Sequence, residues 1–209
     1  MRESRRSDVY YYLGEAFTDL KVRTIRRLKQ ARPKSFRLHQ LLAESYASTH
    51  KKAEAVQEYR RAIELSPETP GLHYQLARLI ADTDTDLAAE HLRRELTLDP
   101  EHYLAKALLG RIYISVQQPD KALPLLKSAL AAQPNLPEAR KALGQALTAR
   151  EEFAEALEHY DVIAAEQPED EQIHFLRAQA LQKLGRTQEA AEAGKRHREV
   201  LRQIRESAP

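Results

Sequence analysis

Cysteine is absent from the 209 residues, which excludes disulfide frameworks, thiolate metal sites and cysteine nucleophiles together. The absence leaves the compartment open, because a cysteine-free chain tolerates oxidising and reducing surroundings alike. Long apolar runs are missing too. No stretch of about eighteen such residues occurs, so no transmembrane helix is expected. The opening MRESRRSDVYYYLGEAF starts basic but has no apolar core long enough for a signal peptide, and the two absences together favour the cytoplasm. Ten prolines and six glycines are too few for a collagenous or low-complexity chain. Hydrophobic residues at 42% and charged ones at 31% suit a soluble folded protein, and the length allows one or two ordinary domains.

The few prolines are placed regularly. Pro33, Pro67, Pro100, Pro134 and Pro168 are spaced by 34, 33, 34 and 34 residues, which indicates an internal repeat. In a common 34-position frame they occupy position 32. Positions 7 and 8 then hold Leu42-Ala43, Leu76-Ala77, Leu109-Gly110 and Leu143-Gly144, and position 11 holds Tyr46, Ile80, Tyr113 and Leu147. Position 20 holds Ala55, Ala88, Ala122 and Ala156, given one deletion in the second of these units. Position 24 holds Tyr59, Leu92, Leu126 and Tyr160. Each unit carries two apolar stripes of helical period, such as Leu104, Leu108, Leu109, Ile112 and Tyr113, then Ala122, Leu125, Leu126, Ala129 and Leu130. Small residues at positions 8 and 20 let two helices approach closely. The proline ends the second helix, since its ring cannot continue the ladder and disfavours helical geometry just before it. Pro124 falls near the start of a helix, where a slight irregularity is expected.

These residues resemble the tetratricopeptide repeat (TPR) family, whose 34-residue unit is a helix–turn–helix. The resemblance covers roughly residues 36 to 206. It departs from the family pattern at position 4, where His39, His73, Lys106 and Arg140 replace an aromatic residue. It implies an all-α fold: a right-handed superhelical solenoid of antiparallel hairpins with a C-terminal capping helix. Because one hairpin cannot bury its own apolar face, neighbours must stabilise each other, and residues 1–209 are expected to form a single domain. The expected units are 7–35 (degenerate), 36–69, 70–102, 103–136, 137–170 and 171–206. In the degenerate unit, Leu13-Gly14-Phe17 copies positions 7, 8 and 11, and about five residues are missing around Thr18-Asp19-Leu20. A tight hairpin or one bent helix would satisfy that pattern, and the change of apolar phase after Leu20 favours the hairpin. The last helix, with Val200, Leu201 and Ile204 on one side and Lys195, Arg196, Arg198, Arg202 and Arg205 on the other, has the form of a cap.

Enzyme signatures fail one by one: no GxxxxGK[ST], GxSxG, HExxH or clustered GxGxxG occurs. No catalytic residue, metal site or cofactor is expected. The histidines are scattered, with His39, His73 and His174 recurring at position 4, a packing position. The run Asp82-Thr83-Asp84-Thr85-Asp86 imitates a calcium loop but offers Leu87 and Arg93 where glycine and a bidentate glutamate belong. It reads as a turn with Thr85 or Asp86 capping the next helix.

Charge is uneven. Residues 1–50 carry 11 Lys/Arg against five acids, a net +6, while the remainder is −4. No acid occurs between Asp19 and Glu44. A basic end can attract nucleic acid, an anionic membrane or an acidic protein. No aromatics interleave the basic residues between Lys21 and Lys34, which argues against nucleic acid; a solvated end-cap helix is the simpler reading.

The resemblance further implies that positions 2, 5, 9 and 12 of each first helix line an inner groove. Here these are Arg37, Gln40, Glu44, Tyr74, Arg78, Leu104, Ala107, Arg111, Lys141, Gln145, Phe175, Gln179 and Gln182, with Tyr11 and Glu15 from the degenerate unit. Within a helix such spacings fall on one face. Tyr74 and Phe175 would be aromatic anchors and Arg78, Arg111 and Lys141 cationic ones, a mixture typical of binding hot spots. The carboxylate clamp of chaperone-tail adaptors needs Lys and Asn at positions 5 and 9. This chain has Gln40 and Glu44, then Tyr74 and Arg78. The asparagine ladder of the sugar-transferase type is likewise missing, since Asn135 is the one asparagine. The expected function is a non-enzymatic scaffold that holds a protein or peptide partner, with acidic segments favoured. The alternatives are a recruiting arm of a larger enzyme or secretion-assembly protein and, more weakly, nucleic-acid binding by the basic end.

Overall fold

The computed structural model describes Ala16 and residues 19–207. Leu13, Gly14 and Phe17 of the degenerate unit, like Tyr11 and Glu15, lie outside the described residues. Among those described there is no strand. The helices are α1 (19–31), α2 (Phe36–Ser48), α3 (Lys52–Leu65), α4 (Leu72–Ile80), α5 (Thr85–Leu98), α6 (Tyr103–Ser115), α7 (Pro119–Ala132), α8 (Pro137–Ala149), α9 (Phe153–Glu166), α10 (Glu171–Lys183) and α11 (Thr187–Ser207). They fall into two compact parts divided between Leu98 and Asp99. In the first, α2 pairs with α3 and α4 with α5, and α3 packs on α4. In the second, α6/α7, α8/α9 and α10/α11 are the hairpins, with α7 and α6 against α8 and α9 against α10. Each part is thus a stack of antiparallel hairpins.

The repeat frame explains where helices stop. α1, α3, α5, α7 and α9 each end two residues before a frame proline: Pro33, Pro67, Pro100, Pro134 and Pro168. The residue preceding proline is pushed out of the helical region, so the chain turns there. The turn inside a hairpin has its own signature at position 15, where His50, Gln117, Glu151 and Gly185 all adopt positive φ, between 57° and 74°. The second of the 34-residue units lacks that residue. Its α4 is nine residues long, and the chain turns tightly by Asp84 N–H donating to the Ile80 carbonyl at 2.7 Å. That is where the sequence deletion falls. The cap of α5 differs from the expected Thr85 or Asp86: Asp84 accepts the Leu87 N–H at 3.1 Å. The helix starts at Thr85, so the residue one place earlier has the geometry to reach the third N–H. Pro124 lies on the exposed side of α7, and the helix continues through it to Ala132.

Packing follows the small positions. Ala43, Ala77, Ala55, Ala88, Ala122 and Ala156 are fully buried. At Gly110 a Cβ would lie 2.6 Å from Leu126 Cγ, and at Gly144 it would strike the ring of Tyr160. Positions 8 and 24 therefore form a knob-and-hole pair, with glycine accommodating the bulky residue opposite. Tyr59, Leu72, Leu76 and Leu92 fill the first part; Leu126, Leu147, Tyr160, Ile163, Ile173 and Leu181 fill the second. In α11, Ala193 and Val200 are buried while Lys195, Arg196, Arg198, Arg202 and Arg205 are exposed, as a capping helix requires.

Candidate functional site: the first-helix faces

In the first part, α2 carries a polar chain along one face. Arg37 stacks over the Phe36 ring at 5.1 Å and donates to Gln40 at 3.4 Å. Gln40 donates to Glu44 at 3.2 Å, and Glu44 pairs with Lys21 of α1 at 3.5 Å. On α4, Tyr74 is half-buried and Arg78 is exposed, held by Gln75 at 3.2 and 3.3 Å. The N-terminus of α4 is fixed from α5, where buried Glu95 accepts from the backbone N–H of Gly71 (2.6 Å) and Tyr74 (3.2 Å). Glu44 and Arg78 both act on the buried Tyr59 phenol. Burial, then Glu44, push it up to about 12 against the opposing pull of Arg78, so it stays neutral.

In the second part, Arg111 of α6 is exposed and has no hydrogen-bond or ion-pair partner among the described residues. Leu104 is half-buried, whereas Ala107 is buried and closed to any partner. Lys141 of α8 pairs with Asp170 at 3.1 Å. The same aspartate caps α10 by accepting from Gln172 N–H (2.9 Å) and Ile173 N–H (3.2 Å), so Lys141 already has an anion. Gln145 is half-buried, and Gln179 and Gln182 are exposed. Phe175 keeps 45% of its surface exposed, with its ring 5.6 Å from that of His197. Of the cations expected to meet acidic ligands, Arg111 is the free one, Arg78 is tethered to a neutral amide, and Lys141 is neutralised.

A second arrangement, at position 4, escapes a reading that treats histidines singly. His73, Arg140 and His174 each reach the carbonyl of the proline six residues earlier: His73 to Pro67 at 3.1 Å, Arg140 to Pro134 at 2.6 Å, His174 to Pro168 at 2.8 Å. A donor at position 4 thus satisfies the carbonyl of each of these frame prolines, and an aromatic ring could not. The other side of position 4 faces position 23 of the second helix. His39 Nδ1–H donates to Glu58 at 2.6 Å, and Glu58 also accepts from Arg61 at 2.7 Å. Because His73 uses its Nε2–H on Pro67, its Nδ1 must accept, and His91 donates to it at 2.8 Å. Lys106 bonds Glu101 and Ser128 instead. The signal was present in the sequence as the recurrence of His39, His73 and His174 at one register and of Glu58, His91 and His159 at another.

Among the described residues no group of three or more His, Asp or Glu side chains is placed to hold a metal ion, and no helix is long and apolar enough to cross a membrane.

Models of the tetratricopeptide repeat match residues 36–69 and, for a second model, 79–146 and 115–180. The Vi polysaccharide export protein VexE of Salmonella typhi is 31% identical over 103 residues, which is 49% of this chain. The chain spans only 16% of that protein's length. Among solved structures, YrrB, described as a TPR protein with an unusual peptide-binding site, superposes with a TM-score of 0.74 at 18% identity, over 84% of this chain and 91% of that one. MamA of Desulfovibrio magneticus RS-1 gives 0.72 at 22% identity, over 80% and 96%. At such identities the likeness is one of fold. Repeat spacing, hairpin pairing and family models agree: the chain belongs to the tetratricopeptide repeat family.

Proposed function

We propose that this protein is a non-enzymatic scaffold that holds a peptide segment of a partner protein on the first-helix faces of its repeats. The observation that carries the reading is a set of exposed and half-buried side chains in the second part. Arg111, Gln145, Phe175 and Gln179 stand at recurring first-helix positions, with one unpaired cation and one half-exposed aromatic ring. Such a set supplies an apolar contact, amide groups for a peptide backbone and a charge for an acidic side chain. Arg37, Gln40, Glu44, Tyr74 and Arg78 make the corresponding face of the first part, where Glu44 tempers the basic residues; Lys141 positions α10 through Asp170. The peptide-binding site ascribed to YrrB supports the same class of function. A peptide-array screen followed by Arg111→Glu tests the assignment. Acidic hits should weaken at least about tenfold, as expected for reversing a charge at a contact, and unchanged binding of every hit would overturn it.

A second reading is favoured by the similarity to VexE: the repeats serve as a recruiting arm of a larger export or assembly protein. Affinity capture with the full chain separates the two. Recovery of components of one export assembly supports the arm, and recovery of unrelated soluble proteins bearing acidic segments supports the free scaffold.

A further inference from the structure

The position 4 and position 23 pair of the hairpin α8/α9 stands open, and it does so inside a cleft. Arg140 and His159 are the two members. Both are half-buried, and they line a cleft of about 390 Å³ floored by Leu130 and Leu143. The cleft is lined from α7, α8 and α9 and contains none of the residues of the proposed peptide face. In the hairpin α2/α3 the same register is closed by a carboxylate: Glu58 sits between His39 and Arg61 at 2.6 and 2.7 Å. In α8/α9 the register holds two nitrogen donors. Arg140 spends one N–H on Pro134, and His159 has no hydrogen-bond partner among the described residues. The one acid in the lining, Glu155, is taken by Lys127 at 3.0 Å across α7 and α9.

We infer that this cleft is a second partner site, taking an apolar side chain and an adjacent side-chain carboxylate from an internal segment of a partner protein. The apolar side chain would cover Leu130 and Leu143, and the carboxylate would lie between Arg140 and His159, where Glu58 lies in its own hairpin. A carboxylate held by a guanidinium and an imidazolium forms charge-assisted hydrogen bonds, stronger than neutral ones. The volume falls in the range of small binding sites. The groups that face His159 agree with this polarity. Burial and then Arg140 hold its imidazole below the ordinary value, Glu155 and Glu158 act the other way, and Lys127 adds to the depression. A bound carboxylate would reverse the balance and draw a proton onto the ring. The site is independent of the first-helix reading, since it shares none of its residues.

The test uses the full chain, isotopically labelled, with the capped peptide Ac-Gly-Leu-Glu-Gly-NH2 and its Glu→Gln version, followed by NMR. The Glu peptide should shift the resonances of Arg140, Leu143 and His159 and raise the titration midpoint of His159. The Gln peptide should bind at least about fivefold more weakly. Arg140→Gln should abolish the discrimination, and His159→Gln, which leaves the Pro134 bond intact, should abolish the pH dependence of binding. Absence of shifts at these residues, or equal affinity for both peptides, would overturn the inference. So would binding of free octanoate with the peptides silent, since that would make the site one for small amphiphiles. Failure of Arg111→Glu to affect any array hit would leave this result untouched, so the two ideas fail separately.

Discussion

His174 is buried, with 4% of its surface exposed, and its Nδ1 has no hydrogen-bond partner. The repeat supplies the reason. Its Nε2–H is committed to Pro168, which leaves Nδ1 as an acceptor, and the position that elsewhere provides Glu58 or His91 is Ala193, itself buried. A serine there would place a hydroxyl at the register from which Glu58 and His91 meet position 4 in their own hairpins. Ala193→Ser is expected to raise unfolding free energy by about 1 kcal/mol, the usual worth of a hydrogen bond that satisfies a buried group; Ala193→Val should give no such gain. Urea unfolding of the three proteins measures it. The His73–His91 pair makes a pH prediction. Burial, and then the neighbouring His73, hold His91 below the ordinary value of about 6.5. The folded state then binds fewer protons than the unfolded one. This contribution is intact above about pH 6.5 and is lost as pH falls from there toward the folded-state value. Urea midpoints at pH 7.5 and 5.5 should differ less in His91→Gln than in the parent. An equal or larger difference would contradict the assignment.

At the scale of the helix and the hairpin, most of the structure was legible in the sequence. The proline period marks the helix ends to within two residues, and the small residues at positions 8 and 20 mark the contact between paired helices. Gly144 shows why: its missing Cβ is the space that the Tyr160 ring fills, and Tyr160 is anchored through its hydroxyl to Thr148 at 3.1 Å. Gly144→Ala gains about 1 kcal/mol of helix propensity but overpacks the pair, typically by about 1–3 kcal/mol. A net loss of about 1 kcal/mol in thermal or urea unfolding is expected. What the sequence did not reveal at this scale was the cap of α5 and the logic of position 4. Asp84, Thr85 and Asp86 are all capping residue types, and the tight turn after the shortened α4 selects Asp84. The recurrence of His73, Arg140 and His174 at position 4 was legible, but its reason was not until the carbonyls of Pro67, Pro134 and Pro168 were seen to need them.

At the scale of the whole molecule, repetition builds the fold and leaves a recurring set of side chains on the first helices. Each hairpin hides its apolar side against a neighbour, so the exposed first-helix positions remain free to vary. Their place on a common helical side could be read from spacing alone. Their state could not: Lys141 was expected to be an available cation, yet Asp170 occupies it, and Ala107 is closed over by packing. Side-chain pairing across hairpins depends on distances that a one-dimensional frame does not contain. The open Arg140–His159 register was invisible for the same reason. The central claim is that a partner segment lies on the first-helix side. Chemical-shift mapping of the strongest array-selected peptide on the labelled full chain tests it most directly. The account predicts shifts at Arg111, Gln145, Phe175 and Gln179 on α6, α8 and α10, whereas shifts confined to the second helices α7, α9 and α11 would contradict it.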